Sequence, residues 1–217
     1  MSLTLTHPEY LTLTGLDGQP HRGADQDWYR DPWQRRAGCG PTTAAVILTY
    51  LSRVHPALAP LAPAGDRADG EFLDYMEAIW SYVTPGARGL DNPESFTLGC
   101  RSFALSRGCL LDGQVLKIPR RDQGTRPTAE ACRDFLAAAL AADCPVAFLN
   151  YSSGDLPNLD SWHWVPLIAL TEGEEVLLFT ILDGGEEKVI DLALWLETST
   201  LGGALAVVTP DPLPEEG

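Results

Sequence analysis

The chain has 217 residues, with 30 Asp and Glu against 15 Lys and Arg, a formal net charge of −15. Phosphate binding needs clustered cations, so this balance argues against a nucleic-acid partner and describes a well-solvated acidic surface. With 45% hydrophobic residues the chain is long enough to bury a full globular core, and no apolar run reaches the length of a membrane-spanning helix.

The opening MSLTLTHPEYLTLTG has no basic region followed by an apolar core, so no signal peptide is expected and a cytoplasmic location is inferred. Its alternating Leu3, Leu5, Leu11 and Leu13 predict one or two short strands. GLDGQPHRGADQDWYRDPWQRR then reads as a loop-rich approach to residues 35 to 45, RRAGCGPTTAA. There a lone cysteine stands between two glycines, ahead of a proline that suits a first helical turn. Ala44, Ala45, Ile47, Leu48 and Leu51 follow at three- and four-residue spacings, which predicts a buried helix. Cys39 is thus expected at a helix start, where the dipole favours a reactive thiolate. A cysteine used only for packing needs no such frame.

Residues 55 to 70 are rich in Pro, Ala and Gly and read as a surface connection. EFLDYMEAIWSYV carries Phe72, Met76, Ile79, Trp80 and Val83 on one face, a second helix. A third is expected around Ser95 to Ser106, a strand at QVLKIP, and a further helix after Thr128 as its cap. From Pro145 onward short β-type runs alternate with turns. Helices in the first two-thirds and an antiparallel sheet in the last third describe an α+β fold.

His163 begins the run WHWVPLIAL, and Asp183 ends the next run, EVLLFTILD. A tight hairpin centred on Gly173 would pair residues whose numbers sum to 346, which sets His163 opposite Asp183. Opposed residues share a face with Cβ atoms roughly 4.5–5.5 Å apart, so the carboxylate would orient the imidazole. A register slip of one residue would place the two on opposite faces. Cys39 as nucleophile, His163 as base and Asp183 as orienter make a Cys–His–Asp constellation. The backbone N–H of Cys39 can serve a developing oxyanion, and Gln34 reads either as a second donor or as an ordinary polar loop residue. Trp162 and Trp164 flank the histidine, one suited to pack beneath the site and the other to line a cleft. Asn150, Tyr151 and Asp160 lie on the approach and are candidates for the substrate groove, although loop acids in an acidic protein are usually solvated. The pairs Glu174-Glu175 and Glu186-Glu187 read as solvated turns rather than catalytic carboxylates, and His7, His21 and His55 fall in segments that read as loops. The five cysteines, Cys39, Cys100, Cys109, Cys132 and Cys144, are odd in number and lack C-x-x-C spacing. They read as free thiols in a reducing compartment, with no metal site and no cofactor.

GCGPTTAAVILTYL, WHWVPLIAL and LDGG resemble the cysteine, histidine and aspartate motifs of the papain-like cysteine peptidase superfamily. Within it they most resemble the bacteriocin-processing (double-glycine-leader) peptidase-like family. The resemblance runs from about residue 28 to 208, and only the three motifs carry it. It implies a papain-like fold with an N-terminal helical lobe, a C-terminal antiparallel sheet lobe and a site in the cleft between. It also implies thiol-mediated cleavage of a peptide-type amide through a thioester acyl-enzyme. Residues 1–27 are then an N-terminal extension packed on a 28–208 peptidase domain, with 209–217 an acidic Pro-rich tail. Two departures stand out. The oxyanion glutamine of such enzymes usually precedes the cysteine by six residues, whereas Gln34 precedes Cys39 by five. The leader-processing enzymes are commonly fused to membrane transporters, and this chain offers no such segment. The expected partner is a peptide or amide substrate. An acyl- or peptidyl-transferase on the same triad, or a non-catalytic binding module, are the alternatives, and oligomeric state is not legible.

Overall fold

The apolar stripe after Cys39 folds as helix α2 (Cys39–Val54), in a computed structural model that describes residues 2–173 and 176–211. Thirteen of its sixteen residues are buried, so it is enclosed on nearly all sides rather than amphipathic. Ile47, Leu48 and Leu51 are each at most 1% exposed, worth about 2 kcal/mol apiece by apolar burial. Two glycines let its start pack closely. A Cβ at Gly38 would collide with the Gln34 carbonyl and the Tyr29 ring, and one at Gly40 would press within 2.8 Å of Leu90.

The approach to this helix is more ordered than a loop. It holds β1 (Ser2–Thr4), β2 (Thr12–Thr14), β3 (Pro20–Arg22), a 3₁₀ turn at Gln26–Trp28 and helix α1 (Pro32–Ala37). Asp25 and Asp31 cap the turn and α1 by accepting from backbone N–H groups, and the Arg35 guanidinium ties α1 back to the carbonyls of Tyr29 and Arg30. These caps supply the local order that composition alone did not suggest.

Helices α3 (Glu71–Trp80), α4 (Pro93–Ser106) and α5 (Ala129–Ala141) occupy the segments whose periodicity predicts them, and Thr128 caps α5. Strands β4 (Leu111–Ile118), β5 (Val146–Asn150), β6 (His163–Glu172), β7 (Leu177–Asp183), β8 (Glu186–Asp191) and β9 (Gly203–Pro210) follow, with a short α6 (Leu192–Thr198) between β8 and β9.

Among the described residues, the main sheet is antiparallel and runs β4-β9-β5-β6-β7-β8, with β1 beside β6 beyond the start of β5. This is a mixed α+β fold, but not a clean division into a helical lobe and a sheet lobe. The N-terminal β1 and the mid-chain β4 both belong to the sheet, and a single core joins residues from Leu5 to Val208. Among the described residues no helix is long and apolar enough to cross a membrane. Glu174-Glu175 and most of the 209–217 tail lie outside the described residues.

The β6–β7 connection departs from the expected hairpin. The strands close at Glu172 opposite Leu177, a pair sum of 349 rather than 346, with the Gly173 N–H donating to the Val176 carbonyl. Continued unbroken, that register would set Asp183 across from Pro166, on the face opposite His163. A bulge at Ile168 takes up one residue, so Leu167 pairs with Ile181. Two residues further on, Asp183 falls across from Val165 and diagonal to His163 on the same face. The bulged carbonyl remains satisfied, accepting from the Leu5 N–H at 3.2 Å.

Candidate active site

Three elements meet at Cys39. Helix α2 presents the half-buried thiol at its first residue, β6 supplies His163 at its start, and β7 supplies Asp183 at its end. His163 Nε2 lies 2.7 Å from Asp183 Oδ1, with the two side chains only 15% and 11% exposed. Cys39 and His163 line the same cavity, and the sulfur lies near enough to act on the imidazole. With Nε2 engaged by the carboxylate, Nδ1 is the ring nitrogen left for sulfur. The other Asp183 oxygen accepts from Lys188 Nζ at 2.6 Å.

The electrostatics follow from these contacts. Burial by itself would push the His163 imidazole down. The hydrogen bond and charge of Asp183, with the Cys39 sulfur nearby, more than offset this and hold it up at about 10. Burial likewise opposes ionisation of Asp183, but His163 and Lys188 hold its carboxyl down at about 2. An imidazolium between a sulfur and a carboxylate is the form this arrangement favours at neutral pH.

The other expected residues separate into distinct roles. Trp164 is 2% exposed, stacks on Phe96 and donates its indole N–H to the Leu90 carbonyl at 2.7 Å. It is anchored in the core against Phe96 and Leu90. Trp162 is 55% exposed, lies against Tyr151 and has φ +58°, a conformation that a bulky residue rarely adopts. Asn150 is fully buried directly across from His163 in the β5–β6 ladder. Its amide donates to the Asp160 carbonyl at 2.6 Å and accepts from Trp195 Nε1 and the Ser152 N–H. It fixes the loop leading to the histidine and lines neither cavity described below, unlike the groove role expected of it.

Cys39 opens on two cavities. One of about 250 Å³ is lined by His163, Asp183 and Lys188 together with Gln26, Thr42 and Asp160. The other, about 200 Å³, lies toward Trp33, Leu90, Leu149, Tyr151 and Trp162. Gln34 is half-buried in α1 and is absent from both linings. The side-chain amide that does line the histidine cavity is Gln26, whose Nε2 donates to the Arg35 carbonyl at 2.9 Å and whose Oε1 is buried without a partner. Its place, thirteen residues before Cys39, is set by the capped turn after Asp25, a feature that leaves only the short pattern DQD in the sequence.

A second cysteine–histidine contact exists at the far end of α2, where Cys144 Sγ lies 3.9 Å from His55 Nε2. Thiol beside imidazole is consistent in general terms with a cysteine-based mechanism. Burial, however, pushes the Cys144 thiol up to about 12, which keeps it protonated and unreactive near neutral pH. Cys100 and Cys132 are also fully buried, with burial raising both thiols. Among the described residues no group of three or more His, Cys, Asp or Glu side chains is gathered as a metal site requires.

A scan of the chain against protein-family models gives no match, and a search of curated proteins likewise gives none.

Proposed function

We propose that the protein is a cysteine peptidase or amidohydrolase of papain-like type, nearest in character to the bacteriocin-processing peptidase-like family. The observation that carries this reading is the His163–Asp183 pair in the same cavity as Cys39, which stands at a helix start and opens on two cavities. Cys39 Sγ attacks a peptide-type carbonyl as thiolate. Negative charge then develops on the carbonyl oxygen, toward which the Cys39 N–H donates, with the Gln26 side-chain amide as second donor. His163 gives its Nδ1 proton to the departing amine, and Asp183 stabilises the charged ring and fixes its tautomer. A thioester acyl-enzyme remains. Neutral His163 next takes a proton from water, hydroxide equivalent attacks the thioester, and the acid product leaves as sulfur is restored.

The buried Cys144–His55 pair gives the reading an internal control. Incubation with a mixed peptide library, followed by mass spectrometry of new termini, is expected to show cleavage by the wild type. Cys39→Ala is expected to lower it by at least about a thousandfold, as loss of a nucleophile does, while Cys144→Ala leaves it within about twofold. Cleavage that survives Cys39→Ala and is lost in Cys144→Ala would overturn the assignment.

A further inference from the structure

Charge is divided unevenly on the two sides of Cys39. The cavity that holds His163 is lined by Asp25, Asp27, Asp160 and Asp183 against Lys188 and the His163 imidazolium. The cavity on the Trp162 side contains Arg36 and Arg88 and no carboxylate. It shares Arg88, Tyr151 and Trp162 with a larger hollow of about 410 Å³, to which Lys117 and Arg120 also contribute. Four of the chain's 15 lysines and arginines therefore line this one trough, against two carboxylates, Asp91 and Glu94, in its larger part. Several are already paired, Arg88 with Asp91, Lys117 with Glu94 and Arg120 with Asp122. Arg36 is exposed and unpaired among the described residues.

Chemistry decides which half of a substrate lies where. His163 protonates the leaving amine, so that amine must sit within its reach, on the His163 side of the sulfur. The acyl half then extends the other way, past Trp162. Trp33, Ala37, Leu90, Leu149 and Trp164 make that side apolar. Trp162 is held in a strained backbone conformation with its ring in solvent, a cost that a packing residue would not need to bear.

Building on the thiol amidohydrolase reading, we propose that the Trp162-side cavity seats the acyl half of the substrate. The geometry points to a peptide with a large apolar side chain in that cavity and an acidic residue beside it, facing Arg36 and Arg88.

The test compares alkylation of Cys39 by two affinity labels, acetyl-Asp-Phe-chloromethyl ketone and acetyl-Lys-Phe-chloromethyl ketone, with iodoacetamide as reference. In each ketone Sγ forms a bond to the methylene carbon as chloride leaves. The acidic label is expected to react about fivefold faster, the size two exposed charge contacts allow. The double variant Arg36→Glu, Arg88→Glu is expected to reverse that order without changing the iodoacetamide rate. Trp162→Ala is expected to remove the advantage of the Phe label over its Gly counterpart. Equal rates for both labels, or a preference untouched by the double variant, with iodoacetamide still reacting rapidly, would overturn this proposal alone. Iodoacetamide reacting no faster than with an ordinary exposed thiol would overturn the parent reading and this proposal with it.

Discussion

Asp183→Ala is expected to cost about 3–5 kcal/mol of folding stability, the range for removing one partner of a buried charge pair. The carboxylate is 11% exposed and bonded to both His163 and Lys188, so its loss strands two cations. Lys188, 31% exposed, can turn toward water, whereas His163 at 15% exposure cannot. The penalty should depend on pH in a defined way. Asp183 is held below its ordinary 3.8, so its contribution is present above that value and is lost as pH falls through about 2. His163 is held above its ordinary 6.5, so its contribution is complete below that value and is lost as pH rises through about 10. The gap between wild type and Asp183→Ala should therefore be widest from pH 3.8 to 6.5 and shrink toward pH 10. Urea unfolding at a series of pH values measures it. A gap that stays constant from pH 6.5 up to 10 would show that the charged pair is not formed.

Gly203→Ala is expected to destabilise by more than about 3 kcal/mol, in the upper range for overpacking. Gly203, the first residue of β9, pairs with Asn150 and Ile118 between β5 and β4, and a Cβ there would collide with the Leu149 carbonyl. Since Leu149 and Asn150 immediately support the strand that carries His163, the chain cannot relieve the clash without moving the site. Denaturant midpoints, with Gly113→Ala on edge strand β4 as a comparison, test this. An added Cβ at Gly113 would approach the Thr97 side chain at 2.9 Å, a contact a side chain can relax. Equal penalties at the two positions would contradict the close approach of β5 and β9.

How much of this was legible in the sequence depended on the kind of signal. The helix after Cys39 was legible because Ala44, Ile47, Leu48 and Leu51 repeat at helical spacing. Thr128 announced α5 by its chemistry as a cap, and the β runs after Pro145 announced themselves by turns and branched residues. The register of β6 on β7 was not legible. A bulge at Ile168 leaves no mark on an apolar run that is buried on both faces, yet it moves every later residue across the sheet. The tight hairpin drawn on Gly173 put His163 and Asp183 on one face by direct opposition, whereas the structure does so diagonally, through a longer connection and an extra residue. Gln26 escaped notice because its approach to Cys39 depends on caps and an Arg35 staple rather than on distance along the chain. Asn150 attracted attention as a polar residue near the histidine, but three hydrogen bonds bury it as a brace. The left-handed backbone of Trp162 has no sequence signature, since such positions usually carry Gly or Asn.

The most direct test of the central claim is the pH dependence of Cys39 alkylation by iodoacetamide, followed by mass spectrometry, in wild type and His163→Ala. A cationic neighbour favours the thiolate form of a cysteine, which is the form that reacts. Rapid modification of Cys39 at pH 6 is expected, slowed about tenfold in His163→Ala, with lower intrinsic nucleophilicity of such thiolates limiting the gain. Cys100, Cys132 and Cys144 should stay unmodified in the native protein. A Cys39 rate that rises only near the free-thiol value of about 8.5, and is unchanged by the loss of His163, would contradict a working thiol–imidazole pair.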